Sequence, residues 1–422
     1  MTIESNNTAA GMGGTHGVPR RADSRDEVHR WLLPAGIDEL LPEAAWATEA
    51  LRRRLLDRFH AWGYELVIPP MIEYVESLLI HPGDDLDLST FKVIDQLTGR
   101  LMGVRADMTP QMARIDAHSL RQEGPTRLCY LGTVLHALPG GFAGTRAPMQ
   151  VGAELFGHAG TASDIEILRL MLETLEMAGV RDIWLDLGHV GIYRALARQA
   201  GFDADDEAGF FDLLQRKAIP EVEAFIRERA LEGEIAAMLR ALPDLHGEGL
   251  ETLEGARASL AAASVEVHQA LDDLAEVARA LQGQDARVRL HFDLAELRGY
   301  HYHTGIVFSA FVPGQGQAIA RGGRYDGIGD AFGRARPATG FSADVRALVA
   351  VAGPAGVAAN GVLAPAVAGD AELDAKVREL RASGVRVIQA LPGQEMSPRA
   401  LGCNRMLELR GDAWQVCEAS AG

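Results

Sequence analysis

Cysteine is nearly missing: Cys129, Cys403 and Cys417 are the only three in 422 residues. Their scatter excludes a disulfide framework or a zinc knuckle and fits reduced thiols in a cytosolic protein. Cations are also short, with 41 Lys and Arg against 58 Asp and Glu and a formal charge of −17. Phosphate contacts need clustered Lys and Arg, so this balance argues against nucleic acid as a partner. No apolar run approaches the ~18 residues of a membrane helix. The opening "MTIESNNTAAGMGGTHGVPRRADS" lacks the apolar segment of a signal peptide and reads as a disordered lead-in. A cytoplasmic chain without a membrane partner is expected. G-x-x-x-x-G-K-[ST] and G-x-S-x-G are absent, which leaves P-loop and α/β-hydrolase chemistry unsupported. Nothing repeats at a fixed period.

What is present alternates between strand and helix signals. "DELLPEAAWATEALRRRLLDRFHAW" has apolar residues at helical spacing, stopped by Gly63. "YELVIPPMIEY" reads as a strand ended by Pro69 and Pro70, because proline cannot continue a ladder. "FKVIDQLTGRLMGVRAD" predicts a hairpin turning at Thr98-Gly99, leading into a helix that Thr109 would cap, with Pro110 in its first turn. "RLCYLGTVLHA" and "MQVGAELFG" predict two more strands. A helix from Ser163 to Ala178 follows, with Ser163 and Glu166 spaced as a capping box. "RDIWLDLGHVGIYRAL" predicts another strand running into a helix. Residues 201–284 read as a wholly helical insertion, after which strands resume. A small-residue linker near Ala352–Gly361 precedes a short α/β tail.

Four stretches carry candidate chemistry. In "MQVGAELFG", Gln150, Gly152, Glu154 and Phe156 share one strand face, while Val151, Ala153 and Leu155 share the other. A carboxylate among apolar neighbours needs a partner: either a structural ion pair or a cationic ligand in a cavity. Asp107 and Thr109, in "RADMTP", stand at a strand-to-helix junction where side chains often line clefts. "GGRYDG" could let a ligand approach the backbone or could simply be a turn. In "LRGYHYHTGIVF", His301 and His303 point the same way on an extended chain. No further ligand pattern completes a metal site, which leaves them lining a pocket.

In this order, "RADMTPQMARI", "RAPMQVGAELFG", "LRGYHYHTGIVF", "GGRYDG" and "RPATGFSADVRAL" resemble the catalytic core of the class II aminoacyl-tRNA synthetases, and within them histidyl-tRNA synthetase. The resemblance spans roughly Trp31–Ala352. It implies an α+β fold: a six- or seven-stranded antiparallel sheet flanked by helices, used as a dimer. It also implies a histidine pocket. Asp107 stands where the family holds the α-amino group with a glutamate, and Thr109 matches its partner. Gln150 matches a residue touching the amino-acid backbone, and Glu154 the carboxylate that binds the imidazole. Arg298 matches the arginine near the ligand carboxylate. Tyr302 keeps a family tyrosine, and His303 replaces the imidazole-contacting tyrosine after it.

The same comparison shows what is gone. The second family motif needs an arginine for the ATP α-phosphate, and His136 stands there. In the third motif Asp344 replaces a glycine, and Ala347 replaces the arginine that stacks on adenine. Arg346 is one residue early, which on a helix redirects the side chain. The tail from Gly353 counts seven Lys and Arg against eight Asp and Glu, a poor balance for gripping RNA. A synthetase-like chain with the pocket but without ATP and tRNA binding resembles the regulatory subunits of short-form ATP phosphoribosyltransferases. That resemblance implies a non-catalytic chain acting in the first step of histidine biosynthesis. It implies a hetero-oligomer with a separate catalytic subunit, a self-dimer within it, and L-histidine as feedback effector. It implies no cofactor and no metal. A divergent histidyl-tRNA synthetase and a free-standing histidine-binding module are the alternatives. The expected division is a lead-in over 1–26, a synthetase-like core over 27–352, and a small α/β unit over 353–422 that would be a vestige of an anticodon-binding domain.

Overall fold

The computed structural model describes residues 31–79, 84–139, 144–283, 287–295, 302–353, 360–394 and 397–419. The expected lead-in, the middle of the linker, and the candidates Arg298 and His301 lie outside the described residues.

Helix α1 (Pro42–Ala61) begins with proline, whose missing N–H costs nothing in a first turn, and buries Leu51, Leu55 and Phe59. The strand expected before Pro69 forms as β1 (Glu65–Leu66); past the two prolines the chain enters a different sheet as β2 (Ile72–Tyr74). Strands β3 (Phe91–Ile94) and β4 (Leu101–Val104) pair as the expected hairpin. Helix α2 (Thr109–Arg114) corrects one expectation: Met108 holds the cap position, and Thr109 makes no side-chain cap bond. Its hydroxyl has another destination, described below.

Strands β5 (Thr126–Thr133) and β6 (Met149–Phe156) precede α3 (Thr161–Met177). The expected capping box does not form: Gly160 is the cap, without a side-chain bond. Ser163 Oγ donates to the Gly160 carbonyl at 2.7 Å, and Glu166 is drawn instead into a bidentate pair with Arg127 at 2.7 Å. A charge-assisted fork is stronger than a neutral backbone cap.

Strand β7 (Ile183–His189) runs into α4 (Val190–Ala200). The insertion follows as α5 (Ala204–Gln215), α6 (Ile219–Glu228), α7 (Gly233–Ala241), β8 (His246–Glu248), α8 (Leu250–Ser259) and α9 (Val265–Leu281). It is therefore not wholly helical: β8 pairs with β9 (Val288–Asp293) and extends the sheet edge. Next come β10 (Ile306–Phe311), β11 (Ala320–Arg324), β12 (Ala338–Asp344) and α10 (Val345–Ala352). The tail holds β13 (Gly361–Ala364), α11 (Ala371–Ala382) and β14 (Val387–Gln389), plus a hairpin of β15 (Cys403–Arg410) and β16 (Ala413–Glu418).

Among the described residues the main sheet runs β1-β5-β6-β12-β11-β10-β7-β9-β8. Its six strands from β5 to β7 are antiparallel throughout, and β1 and β9 join as parallel neighbours. This is the expected sheet, widened at both edges. On β6, Val151, Ala153 and Leu155 enter the core with α1 and α3. Burying each large aliphatic side chain of that core contributes about 1.5–3 kcal/mol. The alternation leaves Glu154 on the other face. There the register lines Glu154 with Gly340 on β12 and Gly323 on β11. The two glycines leave a trough: a Cβ at Gly340 would stand 1.5 Å from Glu154 Oε2. A second cluster of Met108, Met112, Tyr130, Phe156 and Tyr325 packs over this face.

Candidate functional site

Glu154 is 1% exposed, and three hydroxyls from three separate elements converge on it. Thr109 Oγ1 donates to Oε1 at 3.0 Å and the Tyr130 hydroxyl donates to the same oxygen at 3.1 Å. The Tyr325 hydroxyl, just past β11, donates to Oε2. Thr109 is thus committed to the carboxylate, and the α2 terminus does without it. Burial pushes the Glu154 carboxyl up to about 8, with Asp107 adding to the rise, while the hydroxyls pull the other way.

Beside it, Asp107 and Gln150 form a fixed pair. Asp107 Oδ1 accepts from the Thr109 amide at 3.0 Å and from Gln150 Nε2 at 2.9 Å. Gln150 Oε1 in turn accepts from the Met108 amide at 3.0 Å. Both side chains are held through the start of α2, so their orientation follows from the helix.

Tyr302 and His303 close the third side. The Tyr302 ring stacks on Tyr325 with centroids 5.1 Å apart, and its buried hydroxyl has no hydrogen-bond partner among the described residues. His303 meets both rings edge-on, 5.4 Å from Tyr302 and 6.5 Å from Tyr325. Its Nδ1 lies 3.3 Å from the Arg324 carbonyl. Burial lowers the His303 pKa to about 4, so the imidazole is neutral at pH 7. The link from His303 to Glu154 runs through Tyr325.

The structure therefore brings Asp107, Thr109, Gln150 and Glu154 together directly, and adds Tyr302 and His303 by way of Tyr325. Sequence reasoning missed Tyr130 and Tyr325. Tyr325 sits inside "GGRYDG", which was read for its glycines; Tyr130 shares a strand face with buried Leu128 and looks like core. Chemically, the arrangement accepts N–H donors: carboxylates and a carboxamide on one side, aromatic faces on the other. Among the described residues no group of three His, Cys, Asp or Glu side chains could hold a metal ion.

The other end of the same strands, where the resemblance would place a nucleotide, is built differently. His136, in the phosphate position, has Nε2 3.0 Å from the Ala106 carbonyl. Arg146 donates to the carbonyls of His136 at 2.9 Å and Ala35 at 3.1 Å, and its guanidinium lies over the Phe91 ring. Asp344 caps α10 by accepting from the Arg346 amide at 3.0 Å and also takes the Met149 amide at 2.9 Å. Arg346 is tied to the Ala147 carbonyl at 3.1 Å and to Asp38. Both arginines near this end are engaged inside the protein.

Similarity to known proteins identifies the family. Residues 36–348 match the family model for histidyl-tRNA synthetase. A solved structure from Bacillus halodurans C, described as an ATP phosphoribosyltransferase regulatory subunit/histidyl-tRNA synthetase, is 26% identical with a TM-score of 0.77. That match covers 88% of this chain and 95% of the other. Fold and sequence together define a class II synthetase-like protein of the histidyl type. Residues 359–417 match the model for the C-terminal domain of the ATP phosphoribosyltransferase subunit HisZ. A Thioalkalivibrio sulfidiphilus protein named ATP phosphoribosyltransferase regulatory subunit is 60% identical over 90% of this chain and 96% of its own length. The chain belongs to the family of ATP phosphoribosyltransferase regulatory subunits, which are named for a regulatory and not a catalytic role. A Thermotoga maritima ATP phosphoribosyltransferase (HisG:HisZ) complex shares the fold, at 17% identity and a TM-score of 0.54, over 71% of this chain and 97% of that one.

Proposed function

We propose that this chain pairs with a separate catalytic subunit of ATP phosphoribosyltransferase and reports the histidine level to it through the Glu154 pocket. The supporting observation is the sealed carboxylate: three hydroxyls and no fixed cation among the described residues surround Glu154. A carboxyl buried without a cation keeps its proton near pH 7, and a ligand cation or N–H donor would stabilise its ionised form. Histidine supplies an imidazole for Glu154 and an α-ammonium for Asp107 and Gln150; Arg298 is the proposed partner of its carboxylate. The partner is inferred from family membership and from the HisG:HisZ complex of the Thermotoga relative. Cytoplasmic location goes with this reading; among the described residues no helix is long and apolar enough to cross a membrane.

Calorimetry with histidine on wild type and Glu154→Gln, beside inhibition of the reconstituted complex, tests the pocket. Each buried charge-assisted bond contributes about 1.5–3 kcal/mol, so affinity should fall about tenfold or more. Normal binding and full inhibition in Glu154→Gln would place the effector elsewhere, on the catalytic chain. Feedback needs more than binding, since a ligand shifts an equilibrium only by its differential affinity for two states.

A self-dimer is the second element of the proposal. Trp46 on α1 and Leu66, Ile68, Met71 and Ile72 around the two prolines are exposed, Ile68 at 81%. Large apolar side chains left exposed on adjoining elements are candidates for an interface. Light scattering at micromolar concentration should report a dimer; monomer alone would count against it.

A further inference from the structure

The face of the sheet opposite Glu154 carries a cavity of about 430 Å³. Arg324 reaches it because Gly323 occupies the row of Glu154 and strand residues alternate. Asp164 and Thr161 at the start of α3 form one wall, Asp273 and Glu276 on α9 the other, and His189 closes the end of β7.

A charge census of these walls leaves an excess of anion. Arg324 is saturated, donating to Asp164 from Nε at 3.1 Å and Nη2 at 2.8 Å and to the carbonyls of His158 and Gly160 at 3.1 and 3.0 Å. It neutralises Asp164 and offers nothing more. Among the described residues Asp273 accepts a hydrogen bond from Gln269 at 2.9 Å, and Glu276 from the Thr161 hydroxyl at 2.7 Å. Among the described residues neither carboxylate has a lysine or arginine partner. His189, 9% exposed, does not fill that role. Its Nδ1 accepts from the Gly191 amide at 3.1 Å, which leaves the ring proton on Nε2. Nε2 stands 3.9 Å from Asp273 Oδ2, too far for a hydrogen bond, so the Nε2–H of this largely buried ring opens on the cavity with no partner among the described residues. Burial holds the His189 pKa down at about 4, so the ring brings no charge at pH 7.

These groups do not converge on a point as metal ligands do. They are spread along a cavity, with acceptors on α9 and a donor on β7. We propose that this rear cavity binds a small organic amine carrying an oxygen acceptor, such as an amino alcohol. Its ammonium is held by Asp273 and Glu276 and its oxygen by the Nε2–H of His189. The net negative wall repels a free carboxylate and selects against amino acids, which separates this site from the Glu154 pocket. Arg324 and Tyr325 are consecutive, so the two sites stand back to back on β11.

Ethanolamine is the probe, titrated calorimetrically into the full chain at constant ionic strength. Wild type should show saturable one-site binding, and Glu154→Gln should keep it. Asp273→Asn with Glu276→Gln should weaken it about tenfold or more, since two charge-assisted bonds are lost. Ethylene glycol, with oxygen but no ammonium, should give no saturable heat. An unchanged thermal midpoint will show that the double variant is folded; otherwise Asp273→Asn alone, on a side chain 28% exposed, carries the test. Absence of saturable binding to wild type, wild-type affinity in the folded variant, or loss of binding in Glu154→Gln overturns the proposal.

Discussion

Two ends of one strand pair have gone opposite ways. Where β6 and β12 bring Glu154 opposite Gly340, the backbone leaves room for the carboxyl and hydroxyls gather around it, with no fixed cation among the described residues. Where the same strands bring Gln150 opposite Asp344, the nearby arginines are already bound to internal carbonyls and to Asp38. Buried polar groups must be satisfied by something. At one end hydroxyls but no fixed cation meet the carboxyl and the Tyr302 hydroxyl is left without a partner among the described residues; at the other Arg146 and Arg346 are tied to carbonyls and to Asp38, although Arg346 Nε has no partner there, and a triphosphate would have to break those bonds.

The largest effect expected from this contrast is an absence. Histidine-dependent pyrophosphate exchange should stay at the no-enzyme blank, because His136 and Ala347 supply none of the permanent charge that adenylate formation relies on. Turnover well above the blank would break the comparison at its nucleotide end.

Gly340→Ala comes next and probes the ligand end. The new Cβ would lie 1.5 Å from Glu154 Oε2 and 2.8 Å from the Ala153 carbonyl, and backbone cannot swing aside as a side-chain end can. Overpacking of this kind costs about 1–3 kcal/mol, and histidine binding should be lost with it. Arg346→Met is the counterpart: Asp38 is 57% exposed, so the lost pair should cost no more than about 1 kcal/mol, the lost bond to the Ala147 carbonyl about 0.5–1.5 kcal/mol more, and histidine affinity should be unchanged. Denaturant melts and calorimetry on both variants check the asymmetry.

A smaller, graded effect follows from the Glu154 proton. Its folded pKa is about 8 against an ordinary 4.5, so the folded state holds a proton that the unfolded chain has released. The stability this group contributes is complete below pH 4.5, declines as pH rises toward 8, and is flat beyond. The slope within that window approaches about 1.4 kcal/mol per pH unit. Glu154→Gln lacks it, so the stability difference between variant and wild type should shift toward the variant from pH 5 to 8. The neutral His303 and His189 act below their ordinary range and cancel in the difference. Parallel pH profiles would remove Glu154 as the titrating group.

Legibility in the sequence followed the range of the interaction. The alternation on β6 separated Glu154 from Val151, Ala153 and Leu155 correctly, because faces of a strand are a local property. Local cap signals at Thr109 and Ser163 misled for a shared reason: each sits beside a long-range partner stronger than a cap, Glu154 in one case and the Arg127–Glu166 fork in the other. Tyr130 and Tyr325 were invisible as ligands of Glu154 since only the β5-β6-β12-β11 register brings them there. The family pattern named Asp107, Thr109, Gln150 and Glu154, which the structure brings together, but it could not show that this carboxyl is already roofed by hydroxyls.

Tyr302 gives the finest test of that roof. Thr109, Tyr130 and Tyr325 all donate to Glu154, while the Tyr302 hydroxyl is buried and unpartnered among the described residues. An unsatisfied buried hydroxyl is a standing cost of about 1–3 kcal/mol, so Tyr302→Phe should leave stability unchanged or raise it slightly. The ring stacking on Tyr325 survives the substitution, which keeps the roof in place. If the hydroxyl is reserved for the ligand, histidine affinity should fall by a few fold, the size of one neutral hydrogen bond. Tyr325→Phe removes a donor from Glu154 itself, so it should lower stability as well as affinity. Melts and calorimetry on the two variants thus separate a ligand-facing hydroxyl from a structural one. Loss of stability in Tyr302→Phe with unaltered histidine binding would assign its hydroxyl to the fold, and the unmet demand of the pocket would then rest on Glu154 alone.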